Sequence, residues 1–290
     1  MTVNTWLKRN TESLIGRTAA ISGSTGGIGK EICSILASLG ADLILIDRNR
    51  EKSEALGSLL KEEFPSVKIT YVSADMSDMS SVKKAAEELM LLDIDYLILN
   101  AGAYAIPRKT CDTGYDNVFQ INFISPYYLS RKLFEKIKER GGRIIAVSSI
   151  AHNYSKTDSD DVDFSKRRKA SLVYGNSKRF LTYSLIDLYG ESGALSITHP
   201  GIAFTGITSH YPKLIFAVIK YPMKVIFMRP RKAALSVVKG IFQSTGIDSW
   251  IGPRIFDVWG IPSKKKLCTA DKAEISFISE ESKKIYEKMI

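Results

Sequence analysis

Tyr174 and Lys178 stand four residues apart in the stretch Tyr-Gly-Asn-Ser-Lys. On a helix that spacing puts phenol and ammonium on one face. A free tyrosine titrates near ~10, too high for a base at neutral pH. A neighbouring cation favours the phenolate and lowers that value, so the pair predicts general acid–base work near neutrality. The pattern by itself also recurs on ordinary helix surfaces. Ser149 ends a short apolar run and could donate to a substrate oxygen, or simply cap a turn. Asn122 lies in Gln-Ile-Asn-Phe, inside an expected helix, where an amide is either exposed or specifically used. His152, His199 and His210 have no ligand-like spacing, and none pairs with a nucleophile, which argues against a Ser–His hydrolase. Asp158, Asp160, Asp161 and Asp163 lack a regular calcium-loop pattern and read as a solvated loop. No metal site is expected.

These groups need a frame, and the stretch TAAISGSTGGIGK at 18–30 supplies its organising element. An apolar run, 18–22, breaks into Gly23, Gly26, Gly27 and Gly29, expected to precede an amphipathic helix. Ile28, Ile32, Ile35, Leu36 and Leu39 form that helix's apolar face. Glycine permits a tight turn and close approach of a phosphate, and a helix start offers free N–H groups and a positive dipole end. The spacing is G-x-x-x-G-x-G rather than the G-x-G-x-x-G of the best-known dinucleotide fingerprint. Further strands are expected at 42–46, 67–72, 94–99, 143–148 and 195–198, with helices at 51–63, 80–91, 115–140 and 174–189, the third kinked or broken near Pro126. The alternation predicts an α/β fold, a doubly wound parallel sheet of Rossmann type. Such sheets bind ligands beyond the carboxyl ends of their strands. Gly23, Asp47, Asp75, Asn100, Ser149 and Gly201 all fall there.

The 290 residues, 44% hydrophobic, suit one such domain with a core at about 15–260 and a basic tail at about 261–290. Cys33, Cys111 and Cys268 are widely spaced and odd in number, which suggests neither a disulfide framework nor a metal site, so a reducing cytoplasm is expected. The net charge is +10, with basic runs at 166–169, 229–232 and 264–266. No aromatic interleaving accompanies them, so no nucleic-acid partner is expected. The first sixteen residues lack a signal-peptide pattern. Lys220, Pro222 and Lys224 interrupt the apolar stretch 214–228, which is too broken to span a bilayer. A helix resting on a membrane surface stays open for it.

Taken in order, these pieces resemble the short-chain dehydrogenase/reductase family. The matching motifs are Ser22-Gly23-x-x-x-Gly27-Ile28-Gly29, Asp75, Asn100-Ala101-Gly102, Asn122, Ser149, Tyr174-x-x-x-Lys178 and Pro200-Gly201, over residues 15–205. The resemblance implies that Tyr174 is the acid in reduction and the base in oxidation. Lys178 lowers its pKa and holds the nicotinamide ribose. Ser149, rather than Ser148, binds the substrate oxygen. Asn122 fixes a helix break and a proton-relay water. Gly23, Thr25, Gly26, Gly27 and Ile28 cradle the cofactor. Asp75 and Met76 meet the adenine, Asn100, Ala101 and Gly102 line the cleft, and Pro200, Gly201, Ile202 and Thr205 complete it. Ser22 replaces the usual Thr, and Leu99-Asn100 replaces a doubled Asn. The long 149–174 connection and His199-Pro200-Gly201 look like the retinol-dehydrogenase-like branch, which implies a lipophilic alcohol or carbonyl.

A carboxylate at Asp47 can accept both ribose hydroxyls and repel a 2′-phosphate, which favours NAD, while Arg48 could instead grasp the phosphate of NADP. The stretch 207–228 is expected as a substrate flap, aromatic through Phe204, Tyr211, Phe216, Tyr221 and Phe227, with core packing as the alternative. A homo-dimer or homo-tetramer is implied through the helices after Asn100 and at Tyr174. Competing readings are an epimerase or dehydratase and a catalytically silent dinucleotide sensor of the same fold.

Overall fold

The computed structural model describes residues 1–201, 228–267 and 270–290. Apolar β-prone runs form one eight-stranded sheet in the order β3-β2-β1-β4-β5-β6-β7-β8. The strands are β1 (Thr18–Ser22), β2 (Asp42–Asp47), β3 (Ile69–Ser73), β4 (Tyr96–Leu99), β5 (Arg143–Val147), β6 (Leu195–Thr198), β7 (Ser249–Ile255) and β8 (Trp259–Lys266). All neighbours pair in parallel except β7 and β8, which form an antiparallel hairpin. The order reverses between β1 and β4, and that switch point opens the crevice beyond the strand ends. The doubly wound parallel sheet expected from the alternation is therefore present.

Among the described residues the α-helices are α1 (Val3–Asn10), α2 (Gly27–Ser38), α3 (Arg50–Glu63), α4 (Met79–Met90), α5 (Asn117–Phe119), α6 (Ser125–Glu139), α7 (Ala170–Tyr189), α8 (Pro230–Phe242) and α9 (Lys272–Met289). Two apolar layers sandwich the sheet. One joins Trp6 of α1, Ile32 and Leu36 of α2 and Val238 of α8 to β1 and β2. The other joins α4, α6, α7 and α9 through Val82, Leu129, Phe180 and Ile278. Tertiary packing explains why α7 shows almost no polar face: nearly every residue from Gly175 to Ile186 is buried between sheet, α6 and α9.

Three expectations change. Gly27 and Gly29 lie in the first turn of α2 rather than ahead of it. The helix expected over 115–140 is broken by a π-helical turn, Gln120–Ile124, which ends just before Pro126. The segment expected as a basic tail is the edge strand β8 followed by α9. Its Ile278 and Ile285 are buried, and Tyr286 packs on Tyr127 and Tyr128 beneath the Arg131 guanidinium. Thus α9 lies against the α6 and α7 surface that the resemblance assigns to subunit pairing.

Candidate active site

Backbone constraints set the phosphate side of the crevice. Gly23 has φ +66° and donates its N–H to the Ile46 carbonyl at 2.8 Å. A Cβ there would lie 2.9 Å from Ala101 Cα, and one on Gly29 would lie 2.2 Å from the Gly23 oxygen. Glycine at these two positions lets strand, turn and helix close on each other. The N-cap of α2 is Gly26, which brings no side chain to the helix start. The first-turn N–H groups are therefore uncapped by the protein, the donor set that suits a pyrophosphate. The residues present fit a dinucleotide.

Asp47, 6% exposed, faces this turn instead of standing clear of it. Its Oδ1 accepts from the Thr25 N–H at 3.1 Å and the Thr25 hydroxyl at 2.9 Å. Its Oδ2 accepts from Ser24 and, at 3.2 Å, from Ser53. Four donors fill a carboxylate's four usual acceptor positions. Asp47 thus braces the turn, its acceptor positions engaged by protein donors. Arg48 is the exposed neighbour, its side chain 77% accessible, with Nη1 3.9 Å from Asp75. The Asp75 Oδ1 accepts from the N–H and hydroxyl of Ser77, and the Met76 carbonyl accepts from Ser125 at 2.7 Å. Asn100 donates its amide to the Ser22 and Gly23 carbonyls, both at 3.0 Å, and so ties the end of β4 to the glycine turn.

Opposite stand the groups suited to chemistry. Asn122 sits in the π turn, donates to Val118 and Ala103 carbonyls at 2.8 Å and accepts from the Ala103 N–H at 3.1 Å. A Cβ on Gly102 would lie 2.8 Å from Asn122 Oδ1 and 3.6 Å from Lys178 Nζ, so only glycine lets this segment approach both. Lys178 is buried and donates to the Val147 carbonyl at 2.8 Å, its ammonium 5.8 Å from the Tyr174 ring centre. Tyr174 faces the Ser149 hydroxyl and lies edge-on to Tyr104 at 5.4 Å. Ser148, by contrast, is buried and bonded to Thr182 at 2.6 Å.

The electrostatics differ from the sequence expectation. Burial pushes the Tyr174 phenol up to about 12, against the lowering effect of the Ser149 hydroxyl. Burial pulls Lys178 down to about 7. Both groups lose water, and the ammonium is turned towards a neutral carbonyl, so desolvation wins over mutual attraction. Burial therefore outweighs any lowering of the Tyr174 phenol by its neighbours here.

Two histidines that spacing left without a role meet beside the site. Their rings flank Trp250: His152 edge-on at 4.9 Å and His199 stacked at 4.0 Å. His152 Nδ1 lies 2.6 Å from the Ser149 carbonyl, and burial pulls the ring down to about 4. His199 Nδ1 accepts from the Gly201 N–H at 3.3 Å, so its Nε2 carries the proton that reaches Asp257 at 3.1 Å. The buried Arg179 pairs with Glu274 of α9 and donates to the His152 carbonyl at 2.9 Å. The partners Trp250, Asp257 and Glu274 lie 51, 58 and 95 residues from His199, His199 and Arg179, and no local pattern announces them. The aspartates of the 149–174 connection are structural: Asp163 accepts from the Asp116 N–H at 2.7 Å and Arg167 pairs with Asp158. Among the described residues no cluster of His, Cys, Asp or Glu is placed to hold a metal ion. Pro200 and Gly201 follow β6 at the crevice edge, while Ile202, Thr205 and the expected flap, as far as residue 227, lie outside the described residues.

Known proteins share this arrangement of sheet and turn. The short chain dehydrogenase family profile matches residues 17–158. Human polyprenol dehydrogenase is 28% identical over 207 residues, covering 67% of this chain and 63% of that protein. Human retinol dehydrogenase 13 is 29% identical over 203 residues, covering 67% and 61%. The match thus spans less than two thirds of the length of these relatives. The crystal structure of an uncharacterized protein from Mycobacterium paratuberculosis superimposes with a TM-score of 0.73 at 22% identity, covering 96% of each chain, and shows the fold. With its glycine turn, switch-point crevice and profile match together, the chain belongs to the short-chain dehydrogenase/reductase family.

Proposed function

We propose that this chain is a single-domain, nicotinamide-dependent oxidoreductase that interconverts a lipophilic alcohol and its carbonyl compound. The observation that carries this reading is the grouping of Ser149, Tyr174 and Lys178 on the crevice rim, the ammonium 5.8 Å from the Tyr174 ring centre and within reach of Gly102. When bound, the dinucleotide supplies or accepts the hydride. The protein does the rest. Gly23, Thr25, Gly26, Gly27 and Ile28 offer the turn and helix start to the pyrophosphate, with Asp75, Met76, Asn100, Ala101, Gly102, Pro200 and Gly201 around it. Ile202 and Thr205 stay in the proposal through the family resemblance alone. Ser149 steadies the substrate oxygen as charge develops on it. Tyr174, protonated across the neutral range, gives its proton to that oxygen in reduction; in oxidation it first loses that proton and, as phenolate, takes the one leaving the alcohol. Lys178, near its midpoint at neutrality, gains charge when a polar ligand compensates its burial, which then favours the phenolate. Asn122 holds the 100–103 segment against this cluster.

For the adenosine ribose the supporting geometry points to Arg48 rather than Asp47, since the carboxylate is saturated and the guanidinium is exposed. We therefore place NADP ahead of NAD. The lipophilic substrate class rests on similarity to proteins named for polyprenol and retinol.

A coupled assay with retinoids, hydroxysteroids and aliphatic aldehydes, run with both dinucleotides, tests the proposal. Turnover by the wild type and its loss in Tyr174→Phe, with dinucleotide binding retained, is the expected result. Tight dinucleotide binding with silence across the panel would favour the sensor reading instead.

A further inference from the structure

The hairpin of β7 and β8 carries an exposed apolar tip that catalysis does not use. Phe256 is 84% exposed, Ile255 50% and Trp259 39%. Phe256 and Asp257 also adopt φ +49° and +57°, a left-handed backbone that bulky residues rarely take. The turn is therefore unfavourable twice, in backbone and in solvation, yet it is held firmly. Asp257 accepts from Lys265 at 2.8 Å and from His199, whose ring is clamped by Trp250. A Cβ on Gly252 would lie 1.8 Å from His199 Nε2, so the strand is fitted to that ring. The tip is a preformed apolar point.

Its position and charge say what it meets. Strand β7 runs parallel to β6, so the tip emerges at the same sheet end as Ser149 and Gly201. A Cβ on Gly201 would lie 2.7 Å from the Val258 carbonyl, within the turn itself. Asp257 is the tip's one acid, and Lys265 and His199 engage it. Arg254 beside the tip is exposed, as is Arg229 at the start of α8, which packs on the hairpin. The outer edge of β8 carries Pro262 and exposed Lys264 and Lys266, features that oppose strand addition by another chain. An aromatic point flanked by arginine, on a chain of net charge +10, matches the acyl–headgroup boundary of an anionic bilayer.

We propose that the β7–β8 tip docks the protein on an anionic lipid surface, with the crevice mouth turned towards the lipid. The contact needs no turnover, so it stands or falls separately from the proposed chemistry. The test is co-sedimentation of the full chain with vesicles of phosphatidylcholine alone and of phosphatidylcholine mixed with phosphatidylserine. Binding to the mixed vesicles should exceed binding to the neutral ones at least tenfold. Phe256→Asn and Arg254→Glu should each weaken it at least tenfold. Asparagine tolerates the left-handed backbone, so Phe256→Asn should keep the wild-type melting temperature, which separates lost docking from lost folding. Unchanged sedimentation of Phe256→Asn, or a wild type that ignores both vesicles, overturns the proposal. So does a lipid-independent doubling of mass that Phe256→Asn abolishes, which would give the tip to a second copy of the chain.

Discussion

The two halves of the crevice treat buried polar groups in opposite ways. On the glycine-turn side they answer one another. Asp47 takes four donors, Asn100 bridges two carbonyls, and the Ser22 hydroxyl, which donates to the Ile98 carbonyl, accepts from the N–H groups of Asn100 and Ala101. On the β5–β6 side burial outruns compensation. Among the described residues Lys178 has one carbonyl partner and His152 Nε2 has none, and the Tyr174 phenol is driven up. A saturated frame fixes geometry and resists change. Desolvated groups with unmet capacity respond strongly to any polar ligand, which is what acid–base chemistry requires. On the proposed function, the first half positions and the second reacts.

Tyr174→Phe should break the contrast most visibly. It removes the proton donor but leaves the ring packed on Tyr104, so turnover should fall about 10³-fold with dinucleotide affinity changed less than about twofold. Steady-state rates and equilibrium titration measure the two separately. A variant that keeps even a tenth of the rate would move the acid elsewhere. Asp47→Ala should do the reverse. Stranding four donors costs about 2–3 kcal/mol of stability by urea unfolding. Because the whole turn loosens, affinity for NAD and NADP should fall by similar factors. Loss confined to NAD would show that the carboxylate reads the ribose after all.

Much of the positioning half was legible because backbone demands leave residue-type signatures. Gly23 and Gly29 cannot carry a Cβ, and the apolar runs of β1, β2 and β4 mark buried parallel strands. The reacting half was legible as residue types, Ser149 and Tyr174-x-x-x-Lys178, but not as electrostatics. Desolvation depends on what covers α7, and much of that cover is α9, read from sequence as a basic tail. The π turn was hidden because the Asn122 amide answers Ala103, nineteen residues earlier. The His152–Trp250–His199 stack needs β6 and β7 side by side, a long-range fact with no period in the chain.

Lys178→Met sharpens the comparison through pH. Folding pulls the ammonium from its ordinary 10.5 to about 7, while the unfolded chain keeps the ordinary value. Between those limits the unfolded state binds a proton the folded state lacks. Wild-type stability should therefore rise with pH, by up to about 1.4 kcal/mol per unit relative to Lys178→Met, which has no such group. Below about pH 7 both states are protonated and the difference should level off. Urea unfolding at pH 6, 7.5 and 9 reads it directly. A constant difference would mean that the buried lysine keeps its charge throughout.

Arg48→Ala should have the smallest effect, and it decides the cofactor. The side chain lies on the surface, and its contact with Asp75, at 3.9 Å, is an exposed pair of little worth to the fold. Its removal should leave the melting temperature within about a degree of wild type, as expected for a surface change. A 2′-phosphate, however, offers the guanidinium a charge-assisted, bidentate partner. NADP affinity should drop about tenfold and NAD affinity less than about twofold. Added salt should erode the wild-type preference for NADP towards that of the variant, since exposed charges are screened. Equal losses for both dinucleotides would place Arg48 on the shared pyrophosphate or adenine. No loss for either would return the choice to Asp47, and the saturated carboxylate would then have to release a hydroxyl donor each time NAD binds.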